Sequence, residues 1–361
     1  MSELVALAER LISYETCEPS AIHEAAGFLK GWLEARGIEA RQDWVRELPV
    51  TIADVGPAEG PTVILHGHLD VVPGLADQFR PRIDGDRLIG RGSYDMKGAL
   101  AAMLVVFAGM RDNHSVRLRL GVVADEESEE SENRGTDQLV DTGFVGDFAI
   151  TGEPTDLQIG VEAKGVLAAR LEVSGRAAHG ATPWLGDNAV LKAHDIFRRI
   201  ESLPFARQSS ELFDRPSINL GRIWGGDALN KVPDKCVIDV DIRYLPGQDP
   251  VGILDEIRGL EDAQVVKTFT RPPATVDRDL PFVQALREAA SPGGGTEVMS
   301  VGRDGASDAV SFLRVGVPAV EFGPIGAGHH GPEEWVSVAS LDGYRRALER
   351  FLHSLPQRLE S

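Results

Sequence analysis

The sequence predicts an α/β protein, a central sheet flanked by helices, with a second, smaller domain of βαββαβ (ferredoxin-like) order inserted into it. Three observations carry this prediction. In the first third of the 361 residues, continuous apolar strands alternate with helical segments, the pattern of a sheet buried on both faces. From Val166 onward the strands alternate apolar and polar side chains and follow the split-βαβ order. After Pro272 and Pro273 the style of the first third returns. The expected domains are residues 1–165 and 275–361 as one unit, interrupted by an inserted domain at 166–274.

The elements follow in order. "SAIHEAAGFLKGWLEARG" spaces Ile22, Ala25, Ala26, Leu29, Trp32 and Leu33 along one helical face, with Ser20 as N-cap and Gly37 as the stop. Strand 61–70 ("PTVILHGHLD"), helix 96–110, strand 116–125 and strand 146–152 complete the first portion. The apolar run 99–110 is short of the roughly 20 residues a bilayer requires and reads as a buried helix. The insert consists of strand "VLAARLEVSG", helix "NAVLKAHDIFRRIESL", strands "SINLGRIWGG" and "CVIDVDIRYLP", helix "PVGILDEIRGL" and strand "AQVVKTFT". Helix "PFVQALREAA", strand "EVMSVG", helix "DAVSFLRVG" and strand "PAVEFGP" close the chain's α/β part.

Composition excludes more than it identifies. With 42% hydrophobic residues the chain affords a sizeable core. A net charge of −19 argues against nucleic acid or an anionic membrane as partner, since both require basic patches. Cys17 and Cys236 are far apart and form neither a disulfide framework nor a thiolate metal site. "MSELVALAERLISYE" lacks the basic segment of a signal peptide, so the expected location is the cytoplasm.

The residues that carry chemistry fall at the carboxyl ends of strands, where open α/β sheets bind ligands. His68 and Asp70 end strand 61–70, and Asp95 precedes helix 96–110. Glu126 and Glu127 follow strand 116–125, Glu153 follows strand 146–152, and His330 follows strand 318–323. Imidazoles and carboxylates gathered on one sheet edge cost desolvation and mutual repulsion unless cations sit among them. Mixed nitrogen and oxygen ligands without thiolate suit Zn²⁺, with Co²⁺ or Mn²⁺ as alternatives.

The motifs "HGHLDVVP", "GRGSYDMKG", "ADEE", "TGEPT", "GRAAHGATPWLGDNA", "NKVPDKCVIDVDIR", "GASDA" and "HHGPEEW" occur in that order. Together they resemble the co-catalytic zinc metallopeptidase and deacylase family of acetylornithine deacetylase, succinyl-diaminopimelate desuccinylase, aminoacylase and the glutamate carboxypeptidases. The resemblance implies a catalytic domain with a central mixed sheet, an inserted lid or dimerisation domain and two Zn²⁺. In it, Asp95 bridges the ions, His68 and Glu153 complete one site, and Glu127 and His330 complete the other. Asp70 orients the His68 imidazole, and the Asp95–Met96 peptide is cis. Glu126 is the general base that takes a proton from the attacking water and returns it to the leaving amine. His179, usually supplied by the partner subunit of a homodimer, steadies the oxyanion. Asn230 and Arg243 contact the substrate, Arg243 through its carboxylate.

The expected function is removal of an acyl group from an N-acyl amino acid, because "TGEPT" places glutamate where the deacetylase and desuccinylase branch has it. A carboxypeptidase or dipeptidase using the same residues is the close alternative. An inactive binding homologue is disfavoured by the complete ligand set, and an aminopeptidase by the lack of a pocket for a free amine. Two features depart from the family pattern: "SEESENRG" stands where a glycine pair is common, and Ala306 replaces a threonine in "GASD". Several readings need no chemistry. His66 is a wall neighbour of His68, and the spacing to Glu334 favours His330 over His329. Arg243 has Asp239 and Asp241 as ion-pair partners within its own strand, and Glu129, Glu130 and Glu132 read as a solvated acidic loop.

Overall fold

The computed structural model describes residues 2–128, 134–291 and 298–359. Glu129, Glu130 and Glu132, and the start of the expected strand "EVMSVG", lie outside them. The chain divides into two compact units. Unit 1 comprises Met1–Val161, Val276–Val301 and Asp308–Ser361, and unit 2 comprises Glu162–Thr275 and Gly302–Ser307.

Unit 1 begins with α1 (Glu3–Ile12), α2 (Pro19–Glu34), β1 (Ala40–Val45), β2 (Leu48–Val55), β3 (Thr62–His68), β4 (Arg82–Asp84) and β5 (Arg87–Ile89). It continues through α3 (Lys97–Gly109), β6 (Arg117–Val123), α4 (Gly135–Asp141) and β7 (Phe148–Thr151) into β8 (Ile159–Ala163). Unit 2 carries β9 (Gly165–Ser174), α5 (Ala189–Ile200), β10 (Ser217–Gly225), β11 (Lys235–Tyr244), α6 (Pro250–Arg258), β12 (Ala263–Arg271) and β13 (Ala274–Thr275). The remaining elements are α7 (Pro281–Ala290), β14 (Ser300–Arg303), α8 (Ala309–Arg314), β15 (Ala319–Glu321), β16 (Gly326–Ala327), β17 (Trp335–Ser337) and α9 (Val338–Leu359).

The main sheet of unit 1 runs β1-β2-β6-β3-β7-β15-β8. β3 lies parallel to both β6 and β7, and β15 parallel to β7. The β1–β2, β2–β6 and β15–β8 pairs are antiparallel, so the sheet is mixed as the resemblance implies. β3 is buried along nearly its whole length, and α3 is apolar around most of its circumference, consistent with a central strand covered by a helix. The parallel strands β3, β6 and β7 therefore deliver their carboxyl ends, and the residues that follow them, to one edge.

Two local expectations change. Helix α2 starts at Pro19 with Glu18 as N-cap, so Ser20 sits inside the first turn rather than capping it. Proline's fixed φ is pre-organised for the first helical position and sets the start there. The sequence reading assigns no element to the β1–β2 hairpin, whose turn holds Arg46 and Glu47 at φ 47° and 69°. Neither glycine nor asparagine marks that turn, so the usual hairpin signal is missing.

Unit 2 is a four-stranded antiparallel sheet in the order β10-β11-β9-β12, crossed by α5 and α6, which is the predicted βαββαβ arrangement. Alternation puts Leu167, Leu171, Ile238, Val240 and Ile242 on one face, packed against Ile196 and Ile200 of α5 and Ile253 and Ile257 of α6. Asn188 and Asp249 cap the two helices with their side chains. Among the described residues no helix is long and apolar enough to cross a membrane.

Candidate metal centre

His68 is the last residue of β3, and its ring is buried. Nδ1 lies 2.9 Å from the main-chain carbonyl of Asp70, so this nitrogen carries the proton and donates it. In the neutral ring Nε2 then presents a lone pair. It faces Asp95 Oδ1 at 3.3 Å and Glu153 Oε1 at 3.7 Å, and no hydrogen-bond donor reaches it. An acceptor facing two acceptors demands a positive charge between them.

Asp95 presents its other oxygen to a second imidazole. His330 Nε2 is 3.5 Å from Asp95 Oδ2 and 3.0 Å from Glu127 Oε1. The residues thus form two groups that share Asp95: His68, Asp95 and Glu153 in one, Asp95, Glu127 and His330 in the other. His68, Glu126 and Glu127 form a third, overlapping group able to hold an ion. Bonds of about 2.0–2.2 Å to a tetrahedral ion place ligand atoms about 3.4 Å apart. The observed separations of 3.0 to 3.7 Å fit that spacing.

The electrostatics agree. Burial disfavours charge on His68, yet Asp95, Glu153 and Asp70 outweigh it and raise the imidazole well above its ordinary value. Asp95 and Glu127 raise His330 to about 10. Burial pushes Asp95 up, but the His330 and His68 imidazoles outweigh it and hold this carboxylate well below the usual range. Burial, with Asp95 adding to it, raises Glu153 well above its ordinary value. The carboxylates here outnumber the imidazoles, an excess of negative charge that bound protons or a bound cation would neutralise.

Around the two groups the structure adds detail that the sequence does not show. The Asp70 carboxylate is 3.6 Å from His68 Nδ1, and the ring's hydrogen bond goes to the Asp70 main-chain oxygen instead. The carboxylate accepts from the Glu127 amide at 2.7 Å, which draws it away from the ring. The Asp95–Met96 peptide is cis. Glu126 is raised to about 7 by burial first and by Asp308 second, and its Oε1 accepts from Arg134 Nη1 at 2.9 Å. Arg134 also reaches Asp308 at 3.4 Å. The Thr136 hydroxyl donates to Asp308 Oδ2 at 2.6 Å and lies 3.0 Å from His66 Nε2. His66 is therefore engaged behind the cluster, and burial lowers its pKa to about 4. No motif singles out Arg134, Thr136 or Asp308 as a network. The available signals were the departure "SEESENRG", where a glycine pair is common, and Asp308 within "GASDA".

His179, Asn230 and Arg243 belong to unit 2. His179 and Asn230 sit on adjoining segments: the Gly180 amide donates to the Asn230 carbonyl at 2.7 Å, and His179 bridges to Lys231. Both side chains are exposed. Arg243 lies on β11 and donates through Nε to Asp241 at 3.0 Å, the same-strand partner the sequence offered.

Residues 64–354 match the profile of the family described as peptidase family M20/M25/M40. Among solved structures, the chain is similar to a tripeptidase from Staphylococcus aureus subsp. aureus Mu50, with 20% identity over 98% of both chains and a TM-score of 0.81. It is similar to an M20 family metallo-carboxypeptidase from Sulfolobus solfataricus, with 19% identity over 99% of this chain and 100% of that one, and a TM-score of 0.80. It also resembles the YXEP protein of Bacillus subtilis, described as a dinuclear metal-binding peptidase, with 16% identity over 98% of each chain and a TM-score of 0.70. At these identities the structural likeness establishes the fold, and the profile establishes the family. The protein belongs to peptidase family M20/M25/M40 and is a hydrolase of the metallopeptidase kind.

Proposed function

We propose that the protein hydrolyses the amide C–N bond of a small substrate bearing a free carboxylate, using two divalent cations held by the imidazole and carboxylate cluster. The observation that carries this reading is His68 Nε2, buried without a donor and facing Asp95 and Glu153. Asp95 would serve both ions, with His68 and Glu153 as the other holders of one and Glu127 and His330 of the other. Zn²⁺ is the first candidate, with Co²⁺ and Mn²⁺ as alternatives. When bound, such ions supply Lewis acidity toward the scissile carbonyl and lower the pKa of a coordinated water.

The chain's own groups do the rest. Glu126 takes the proton of the attacking water on its carboxylate and hands it to the leaving nitrogen. Arg134 fixes one oxygen of that carboxylate through the 2.9 Å bond. Asp70 holds the Glu127 main chain and thereby the direction of the Glu127 side chain. His179 donates to the oxyanion, Asn230 contacts the substrate, and Arg243 grips its carboxylate through the edge that Asp241 does not occupy. Unit 2 acts as lid and as the contact surface of a homodimer. Supporting the dimer, β10 is an edge strand of its sheet with Ile223 and Trp224 exposed.

Two substrate readings follow. Glu153 in "TGEPT" favours an N-acyl amino acid, cleaved by deacylation. The family description and the peptidase neighbours favour a short peptide, cleaved as by a carboxypeptidase or dipeptidase. Both readings use the same residues. A panel of N-acyl amino acids, dipeptides and tripeptides, offered to protein loaded with Zn²⁺ or Co²⁺, separates them. Turnover of acyl amino acids alone selects the first and turnover of peptides alone the second. No turnover of any amide by metal-loaded protein refutes the proposal.

A further inference from the structure

Glu334 lies between β16 and β17, four residues beyond His330, and is 2% exposed. Its carboxylate accepts four hydrogen bonds. Arg91 Nη1 at 2.8 Å and the Gly92 amide at 2.9 Å meet Oε2, while the amides of Tyr94 and Asp95, each at 3.0 Å, meet Oε1. The Glu334 main-chain oxygen also accepts from the Gly90 amide at 3.0 Å. The segment that presents Asp95 is thus wrapped around one buried side chain from a part of the chain about 240 residues away.

The same segment is tied on its other sides. The Tyr94 hydroxyl donates to Asp156 at 2.8 Å, three residues past Glu153. Gln78 donates to the Gly331 and Pro332 carbonyls at 3.1 Å and, through its own carbonyl, accepts the Arg91 amide at 2.8 Å. Glu334 differs from these tethers in two respects. It bonds the main chain of Asp95 itself, and it sits on the loop that carries His330. It therefore controls a separation with chemical meaning, the 3.5 Å between His330 Nε2 and Asp95 Oδ2.

We infer that Glu334 is a positioning residue that holds Asp95 and His330 at ion-binding distance, an inference that rests on the two-ion reading above. A carboxylate that accepts from three main-chain amides and a guanidinium has little freedom to move, so it fixes the loop that Asp95 belongs to. Ligands fixed in this way lose less freedom when an ion binds, and removal of such outer partners typically weakens metal affinity by about 10- to 100-fold.

Titration calorimetry with Co²⁺ on the metal-free full chain tests this, with Glu334→Gln as the variant. The glutamine keeps the size but turns an NH₂ group toward amide donors. The expected result is at least one Co²⁺ binding step weakened by about 10- to 100-fold. Leu348→Ala, a cavity variant of α9, serves as control for general loss of stability, and it binds Co²⁺ like the wild type. Wild-type affinity in Glu334→Gln, or an equal weakening in the control, overturns the inference. Should Glu334→Gln not fold, Glu334→Asp replaces it: the charge beside Arg91 stays, the shorter side chain draws away from the Tyr94 and Asp95 amides, and the same loss is expected. A wild-type protein that takes up no Co²⁺ overturns the two-ion reading itself, which is a distinct outcome.

Discussion

Glu126 and Glu127 are neighbours in sequence with different surroundings. Glu127 faces His330, whereas Glu126 faces Arg134 and feels the charge of Asp308. The two are expected to separate on substitution. Glu126→Gln lowers kcat by about 10²- to 10⁴-fold, the usual worth of a positioned base, while Co²⁺ stoichiometry measured by calorimetry stays at the wild-type value. Loss of metal in that variant would make Glu126 a ligand rather than the base. Arg134 is the counterion of two carboxylates, its side chain 10% exposed beside the buried Asp308 at 1% and Glu126 at 16%. Arg134→Met removes the guanidinium from both and is expected to cost about 3–5 kcal/mol in urea denaturation. Adding Asp308→Asn removes one of the stranded charges, so the double variant should recover part of that loss. A double variant no more stable than Arg134→Met would mean that Asp308 is not what the arginine neutralises.

Among the elements, the β9–β11 pair in unit 2 shows how one residue without a side chain admits a large one. Gly165 sits opposite Tyr244, and a Cβ at position 165 would come within 2.3 Å of the tyrosine ring. The ring lies across the glycine, and its hydroxyl donates to the Arg271 carbonyl at 3.0 Å, tying β11 to β12. Gly165→Ala is expected to cost about 1–3 kcal/mol as an overpacked core position, read from chemical denaturation. Burial pushes the Tyr244 phenol up to about 12. A group raised in the folded state stabilises fully below its unfolded value, about 10, and loses that contribution as pH rises toward the folded one. Wild-type stability should therefore fall more steeply than that of Tyr244→Phe between about pH 10 and pH 12. Parallel curves would show that the phenol titrates alike in the folded and unfolded chains, against the raised value.

For the whole molecule, the proposed ions bind native unit 1 and have no preformed site in the unfolded chain, so they are part of its stability. An ion present at about 1,000 times its Kd contributes about 4 kcal/mol. At about 2–4 °C per kcal/mol for a body of this size, each such ion removed by chelation should lower the melting transition of unit 1 by roughly 8–16 °C. Scanning calorimetry with and without chelator measures it, and the transition of unit 2 should not move. An unchanged profile would contradict the proposed ion sites.

Sequence alone determined the features that depend on local pattern. The apolar run of β3, the alternation along β9 and β11, and the helices α3, α5 and α6 are written in the period of their side chains, because a strand or helix buries a face set by its own geometry. The placement of His68, Asp95, Glu126, Glu127, Glu153 and His330 near one another was legible for the same reason, since most of them follow strands whose ends share an edge. Local pattern was silent where the turn residues carried no signal, as at Arg46 and Glu47. Tertiary structure alone decided which group meets which. It gave Asp95 one oxygen for each imidazole, moved the His68 hydrogen bond to the Asp70 carbonyl, set Arg134 on Glu126 and brought Glu334 to the Asp95 amide. These contacts depend on strand order, β3 between β6 and β7, and on loops from distant parts of the chain meeting at one edge. A side chain's period along its own element reports the face it shows, and only the packed fold supplies its partner.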